Sequence, residues 1–184
     1  MDELVMEIRS VDADAREMVG MIAPYDEVTY LTPDPNGERI LRGAFAKSIR
    51  QRGGKIPLLR NHDQSRKIGT SMRFVDSDDG LVGEFKIVPG DHGDAMLDDL
   101  RNGCLDMLSV GFQAIRAGRG ADGVREVKEG RLVEVSVVAL PAYAGAAVLA
   151  VRNGQDLDAL LAPFQNRPEV NLDPVAPLLY RRQG

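Results

Sequence analysis

Two side chains in this sequence have the chemistry of a hydrolytic pair: Ser109, in LDMLSVGF, and His62, in LLRNHD. A serine hydroxyl is a weak nucleophile until a neighbouring base takes its proton. Imidazole titrates close enough to neutrality to accept that proton and return it. Alternate residues of a strand point opposite ways. Leu108, Val110 and Phe112 therefore enter a core, and Leu105, Met107, Ser109 and Gly111 share the other face. Ser109 is then a hydroxyl on rigid backing, with a glycine nearby to leave it room. His62 follows the apolar residues 56–60, which places it at a strand end near the surface. Each residue also has an ordinary reading, Ser109 bonded to a neighbouring carbonyl and His62 bonded to loop backbone. SVGF is not the GxSxG elbow, so an α/β-hydrolase does not explain the serine.

A catalytic base needs an orienting partner on its far nitrogen. Asp63 adjoins His62, but adjacent side chains on an extended segment diverge. Glu134, in LVEVSVVAL, is the better candidate. Strict alternation puts it on one face with Leu132, Ser136 and Val138, opposite Val133, Val135 and Val137. A carboxylate in so apolar a strand is costly to bury without a partner. That partner is either an imidazole or a cation such as Arg60 or Arg131, and both readings fit the residues. Cys104 is a second possible nucleophile, but it follows a helix end, where the dipole is negative and does not favour a thiolate. His92 lies in an exposed-looking Pro-Gly-Asp-His-Gly turn. Two histidines and one cysteine, without ligand-like spacing, do not make a metal site.

The elements that must position these residues are mostly strands. Residues 4–8, 17–23, 56–60, 67–75, 81–88, 105–115, 131–140 and 146–151 have strand character, with 67–75 and 81–88 joined as a hairpin by the turn DSDDG. Residues 43–52 form a helix with Phe45 and Ile49 on one face and Gly53 to end it. Residues 91–102 form a second, with Met96, Leu97 and Leu100 as its apolar stripe and Gly103 as its stop. Residues 25–39 and the glycine-rich 117–123 are loops, the second of them flexible. The pattern predicts a mainly β domain, a closed or partly closed β-barrel with a few flanking helices; an α+β open sheet is the alternative.

The 184 residues suffice for one domain with a sizeable core, here 1–152, followed by a proline-rich C-terminal tail, 153–184. A net charge of -5 argues against a general nucleic-acid binder, since phosphate binding wants a basic surface. A lone cysteine excludes an intrachain disulfide and fits a reducing compartment. Residues 1–10 carry charges throughout, unlike a secretory signal. Residues 132–151 have the length of a membrane span, but they contain Glu134, Pro141 and Gly145 and suit two buried strands with a turn.

The stretches LRGAFAKSI, PLLRNHD followed by KIGT, the DGL turn, LRNGCLDMLSVGF and LVEVSVVALPAYAGA, in that order and spacing, resemble the prohead (capsid-maturation) proteases of tailed bacteriophages and gene-transfer particles. The resemblance covers about residues 19–151 and is specific through the combination rather than through any single stretch. That family is distantly similar to the herpesvirus assemblins, which implies an assemblin-like barrel surrounded by helices. It also implies a serine endopeptidase that needs no metal or organic cofactor. Its His and Ser fall on His62 and Ser109. Assemblins use a second histidine after the serine; none follows Ser109 here, and Glu134 is the natural substitute.

The resemblance further implies the partners. These are the major capsid protein, whose scaffolding segment is the substrate, a separate scaffold protein, the protease itself, and further copies of the chain in a homo-oligomer, a dimer for instance. The place of action is the assembling procapsid in the bacterial host cytoplasm. The tail would target the enzyme into the shell or be self-cleaved. Two readings compete with this one. The first is a non-catalytic scaffold or capsid-binding module of the same fold, which predicts that Ser109→Ala changes nothing in capsid processing. The second is a hydrolase using Cys104, which predicts sensitivity to thiol alkylation.

Overall fold

The computed structural model describes residues 16–30 and 34–152. The strand expected at 4–8 and the tail lie outside them. In chain order the elements are β1 (Glu17–Pro24), β2 (Glu38–Ile40), α1 (Ala46–Gln51), β3 (Pro57–Arg60), β4 (Asp63–Asp76), β5 (Gly80–Ile87), α2 (Asp91–Arg101), β6 (Met107–Arg119), β7 (Arg125–Val138) and β8 (Val148–Arg152). The strands belong to one sheet in the order β2-β7-β3-β4-β5-β1-β8, with β6 on β7.

β7 is the organising strand. β6 runs antiparallel to it from Met107↔Val138 to Arg119↔Arg125 and occupies one edge. β3 pairs in parallel with its later residues, Leu58↔Val135 to Arg60↔Val137, and β2 with its first ones, Glu38↔Arg125 to Ile40↔Val127. The sheet then curls through the β3–β4–β5–β1–β8 pairings back towards β6. The seam is held by an isolated Met107↔Ala147 bridge, with Leu108 N–H on Ala146 O at 2.9 Å and Val148 N–H on Asp106 O at 2.7 Å. This is the expected mainly β barrel with flanking helices, and not the open α+β sheet.

The interior is filled by alternate residues of these strands, among them Met18, Ile22, Leu58, Phe85, Leu108, Val135 and Val137. The helices lay their apolar faces on the barrel: Ile49 of α1, and Met96, Leu97 and Leu100 of α2. Phe45 meets Phe112 edge to face at 5.3 Å between ring centroids. Gly130 admits that packing, since a Cβ there would lie 2.7 Å from the Phe45 ring. A fully buried side chain of this size contributes about 1.5–3 kcal/mol.

Several boundaries differ from the sequence expectation, for local reasons. α1 starts at Ala46, not at residue 43, because Gly43 sits at φ 75° and its left-handed backbone cannot open a helix. Residues 117–123 are not a flexible loop. β6 continues through Arg119, and a short turn, with Gly120 N–H on Val124 O, leads directly into β7. Arg39 on Asp122 and Glu126, together with Arg119 on Asp34, ties that turn to the segment around β2. The charged residues REVKEG, ahead of the strand expected from residue 131, also belong to β7.

The segment after β7 is pinned with equal care. Tyr143 is buried, and its hydroxyl donates to Glu38 Oε1 at 3.2 Å. Glu38 also pairs with Arg125, and Thr29 Oγ1 donates to Ala142 O. Burial raises the Tyr143 pKa above the ordinary tyrosine value; nearby Arg125 opposes the rise and Glu27 adds to it. Burial likewise raises that of Tyr25, reinforced by its hydrogen bond to Asp76. The folded state therefore keeps protons that the unfolded chain releases near pH 10. Stability is fully present below that pH and falls as pH rises beyond it. Thermal melting followed from pH 8 to 11 should show a declining Tm above about pH 10, with a shallower decline in Tyr143→Phe.

Candidate active site

His62 is positioned by backbone conformation rather than by a long element. Asn61 and His62 are the two residues between β3 and β4, closed by the Arg60↔Asp63 pair. Both have left-handed backbone, φ 51° and 59°, as in the two-residue turns whose twist suits a hairpin. Asparagine tolerates this conformation; histidine at the second position, where glycine is preferred, is strained by about 1–2 kcal/mol. Two hydrogen bonds to β7 hold the turn: Asn61 N–H on Val137 O at 3.0 Å, and His62 N–H on Ser136 Oγ at 3.0 Å.

Glu134 is 3 % exposed, and its carboxylate is shared by two partners. His62 Nδ1 lies 2.7 Å from Oε1, and Ser136 Oγ donates to Oε2 at 2.7 Å. An ionised carboxylate only accepts, so the Nδ1–H form of the imidazole makes this bond and Nε2 is left as the free nitrogen. The His62 side chain is 46 % exposed, so the buried carboxylate meets a ring that reaches the surface.

Ser109 lies directly across from Ser136, and Gly111 directly across from Glu134. Residues opposed in this way share a face of the sheet, with Cβ atoms about 5 Å apart. Ser109 is 4 % exposed. The structure thus brings Ser109, Ser136, Glu134 and His62, from two adjacent strands and one turn, to one face around β7.

Strict alternation misplaces part of β7. The pairing passes from Gly111↔Glu134 to Phe112↔Leu132 and skips Val133. This bulge turns Leu132 into the core with Val135 and Val137, leaves Val133 exposed, and separates Leu132 from the Glu134 face. Residues of α1 and its end hold the bulge. Ser48 Oγ accepts the Leu132 N–H at 3.0 Å, and Arg52 donates to Leu132 O and Val133 O at 3.2 and 2.9 Å. Gly111 also has a different use from the one expected. The space above it is filled by the Glu134 carboxylate rather than left open beside the serine.

The other candidates lie elsewhere. The Asp63 carboxylate accepts from Ser65 N–H and Oγ, which hold its pKa below the usual carboxylate range, and it takes no part in the His62 pair. Cys104 is exposed just beyond α2, and His92 is exposed in the first turn of α2. Arg60, the cation considered for Glu134, pairs instead with Asp99 of α2 at 2.7 Å. Among the described residues no group of His, Cys, Asp and Glu forms a metal cluster, and no helix is long and apolar enough to cross a membrane. Sequence reasoning missed Ser136, Ser48 and Arg52. Ser136 carried the same signal as Ser109, a hydroxyl on the second face of an apolar strand.

Residues 5–158 match the family model described as Caudovirus prohead serine protease. The chain belongs to that family. It is therefore a serine-type protease of the capsid-maturation class. No curated protein matches it. Similar solved structures include the capsid assembly protease of bacteriophage T4, at 13 % identity and a TM-score of 0.45, covering 67 % of this chain and 97 % of that one. Another is the protease of Kaposi's sarcoma-associated herpesvirus bound to a hexapeptide phosphonate inhibitor, at 13 % identity and a TM-score of 0.46, covering 81 % of this chain and 69 % of that one. A further structure of that herpesvirus protease, bound to an allosteric inhibitor, matches at 10 % identity and a TM-score of 0.46, covering 82 % and 83 %.

In this prohead protease a methyl group on Gly111 would overlap Glu134 Oε1 and lie 2.8 Å from its Cδ. The Gly111→Ala variant should lose about 1–3 kcal/mol of stability, the usual cost of overpacking. It should also lose at least tenfold in peptidase rate, out of proportion to the melting shift. Thermal melting and a peptide-cleavage assay on the same preparation check this.

Proposed function

We propose that the chain is an endopeptidase in which Ser109 is the nucleophile, His62 the general base and Glu134 the residue that orients the base. The observation that carries this reading is the 2.7 Å bond between His62 Nδ1 and a buried Glu134, on the face that also bears Ser109. With Nδ1–H committed to the carboxylate, His62 Nε2 takes the Ser109 proton as Oγ attacks a peptide carbonyl. The tetrahedral intermediate collapses when the same nitrogen returns its proton to the leaving amine. Water, deprotonated by His62, then releases the acyl group and restores the serine. Glu134 stays ionised throughout; it fixes the tautomer and stabilises the imidazolium.

The substrates proposed are the scaffolding segment of the major capsid protein and the protease itself. Cleavage would take place inside the assembling procapsid in the host cytoplasm, with the enzyme acting as a homo-oligomer. Residues 1–152 would form the protease domain and 153–184 a segment for targeting or self-cleavage. Family membership supports a capsid-protein substrate.

Intact mass spectrometry of the full chain, co-expressed with its own capsid protein, tests the assignment. The wild type should trim the capsid protein, and Ser109→Ala should leave it whole. Equal clipping by both would remove Ser109 from the mechanism and direct attention to Cys104. Glu134→Gln presents a carboxamide where the imidazole needs an acceptor, and the reaction should slow by about 10²–10⁴-fold, by analogy with removal of the third member of a serine triad. Deleting 153–184 should leave the melting of the core unchanged and impair processing within shells.

A further inference from the structure

We propose that Ser136 is a positioning residue: its buried hydroxyl sets His62 and Glu134 relative to one another. The inference rests on the assignment of His62, Ser109 and Glu134 above. Ser136 is fully buried, so it does not touch a substrate. Its hydroxyl is used in both senses. The proton goes to Glu134 Oε2 at 2.7 Å, and a lone pair receives the His62 backbone N–H at 3.0 Å.

The two bonds have complementary effects. Glu134 Oε1 already holds His62 Nδ1, so the bond to Oε2 fixes the rotation of the carboxylate plane and aims Oε1 at the ring. The bond to the His62 N–H holds the second residue of a turn whose two residues both have left-handed backbone, a conformation that persists only where its surroundings over-determine it. One side chain thereby sets the base at its backbone and the orienting carboxylate at its far oxygen. Because Ser136 lies across from Ser109, both adjustments are made beside the nucleophile. Replacing the hydroxyl by hydrogen leaves a buried carboxylate short of a donor and a backbone N–H short of an acceptor, and both groups regain freedom to turn.

The test uses the full chain. A fluorophosphonate probe reports the rate of Ser109 acylation, and a peptide spanning a mapped capsid cleavage site gives kcat and KM. Ser136→Ala should melt cooperatively, acylate about 10- to 100-fold more slowly, and lose kcat with KM unchanged within about twofold, as expected when an interaction made only in the transition state is removed. Ser136→Cys, close in size with a weak S–H donor, should fall between the two, and takes over the comparison if the alanine variant fails to fold. The decisive comparison is made in the Glu134→Gln background, where Ser136→Ala should cost several-fold less than in the wild type, because one of the two groups it sets, the carboxylate, is already lost and only its hold on the His62 N–H remains.

The same fractional loss in both backgrounds would reduce Ser136 to a packing residue and overturn the proposal. So would a Ser136→Ala enzyme as fast as the wild type while Glu134→Gln is slow. A wild type that the probe does not label at Ser109, or a Glu134→Gln enzyme of normal rate, would instead overturn the underlying assignment and the proposal with it.

Discussion

A carboxylate buried in an apolar barrel is the constraint to which the rest of this structure answers. An unpaired carboxylate in such surroundings costs several kcal/mol, and the Glu134 environment is organised to avoid that cost. Gly111 vacates the space above it, Ser136 donates to one oxygen, and the His62 ring donates to the other. The bulge at Val133 sets which side of β7 carries the carboxylate, and α1 holds the bulge through Ser48 and Arg52. Features that look independent along the chain, a short helix, a glycine, a skipped residue and a strained turn, are solutions to one electrostatic problem.

Much of this is legible in the amino-acid sequence alone. The apolar runs locate most strands, and the stripe Met96, Leu97, Leu100 locates α2. Glu134 draws attention because a charge in LVEVSVVAL contradicts its surroundings, and a contradiction of that kind marks a site. The family is legible from the order of short motifs, and the match over residues 5–158 places the chain in it. The face of Ser109 follows from alternation, because β6 keeps its register with β7 from Met107 to Gly111.

What is not legible depends on pairings remote in sequence. Alternation is a local rule, and it fails at Val133 because a bulge is defined by the partner strand and by α1, some 80 residues earlier. REVKEG does not announce itself as strand because its charges are neutralised by groups that only the fold brings near, Arg39 on Glu126 and Lys47 on Glu129. Ser136 reads as one more strand residue, since nothing local says that its hydroxyl has two partners. The use of Gly111 is likewise invisible, because the atom that needs its space belongs to another strand.

The parallel pairing of β3 with β7 carries a consequence for timing. Leu58 meets Val135, and His62 meets Glu134 across an intervening stretch that contains β4, β5, α2 and β6. Contacts of such separation form late, after most of the loop-closure entropy has been lost. No fragment ending before β7 holds His62, Glu134 and Ser109 together. On the assignment proposed above, topology would withhold activity until β7 has joined the sheet.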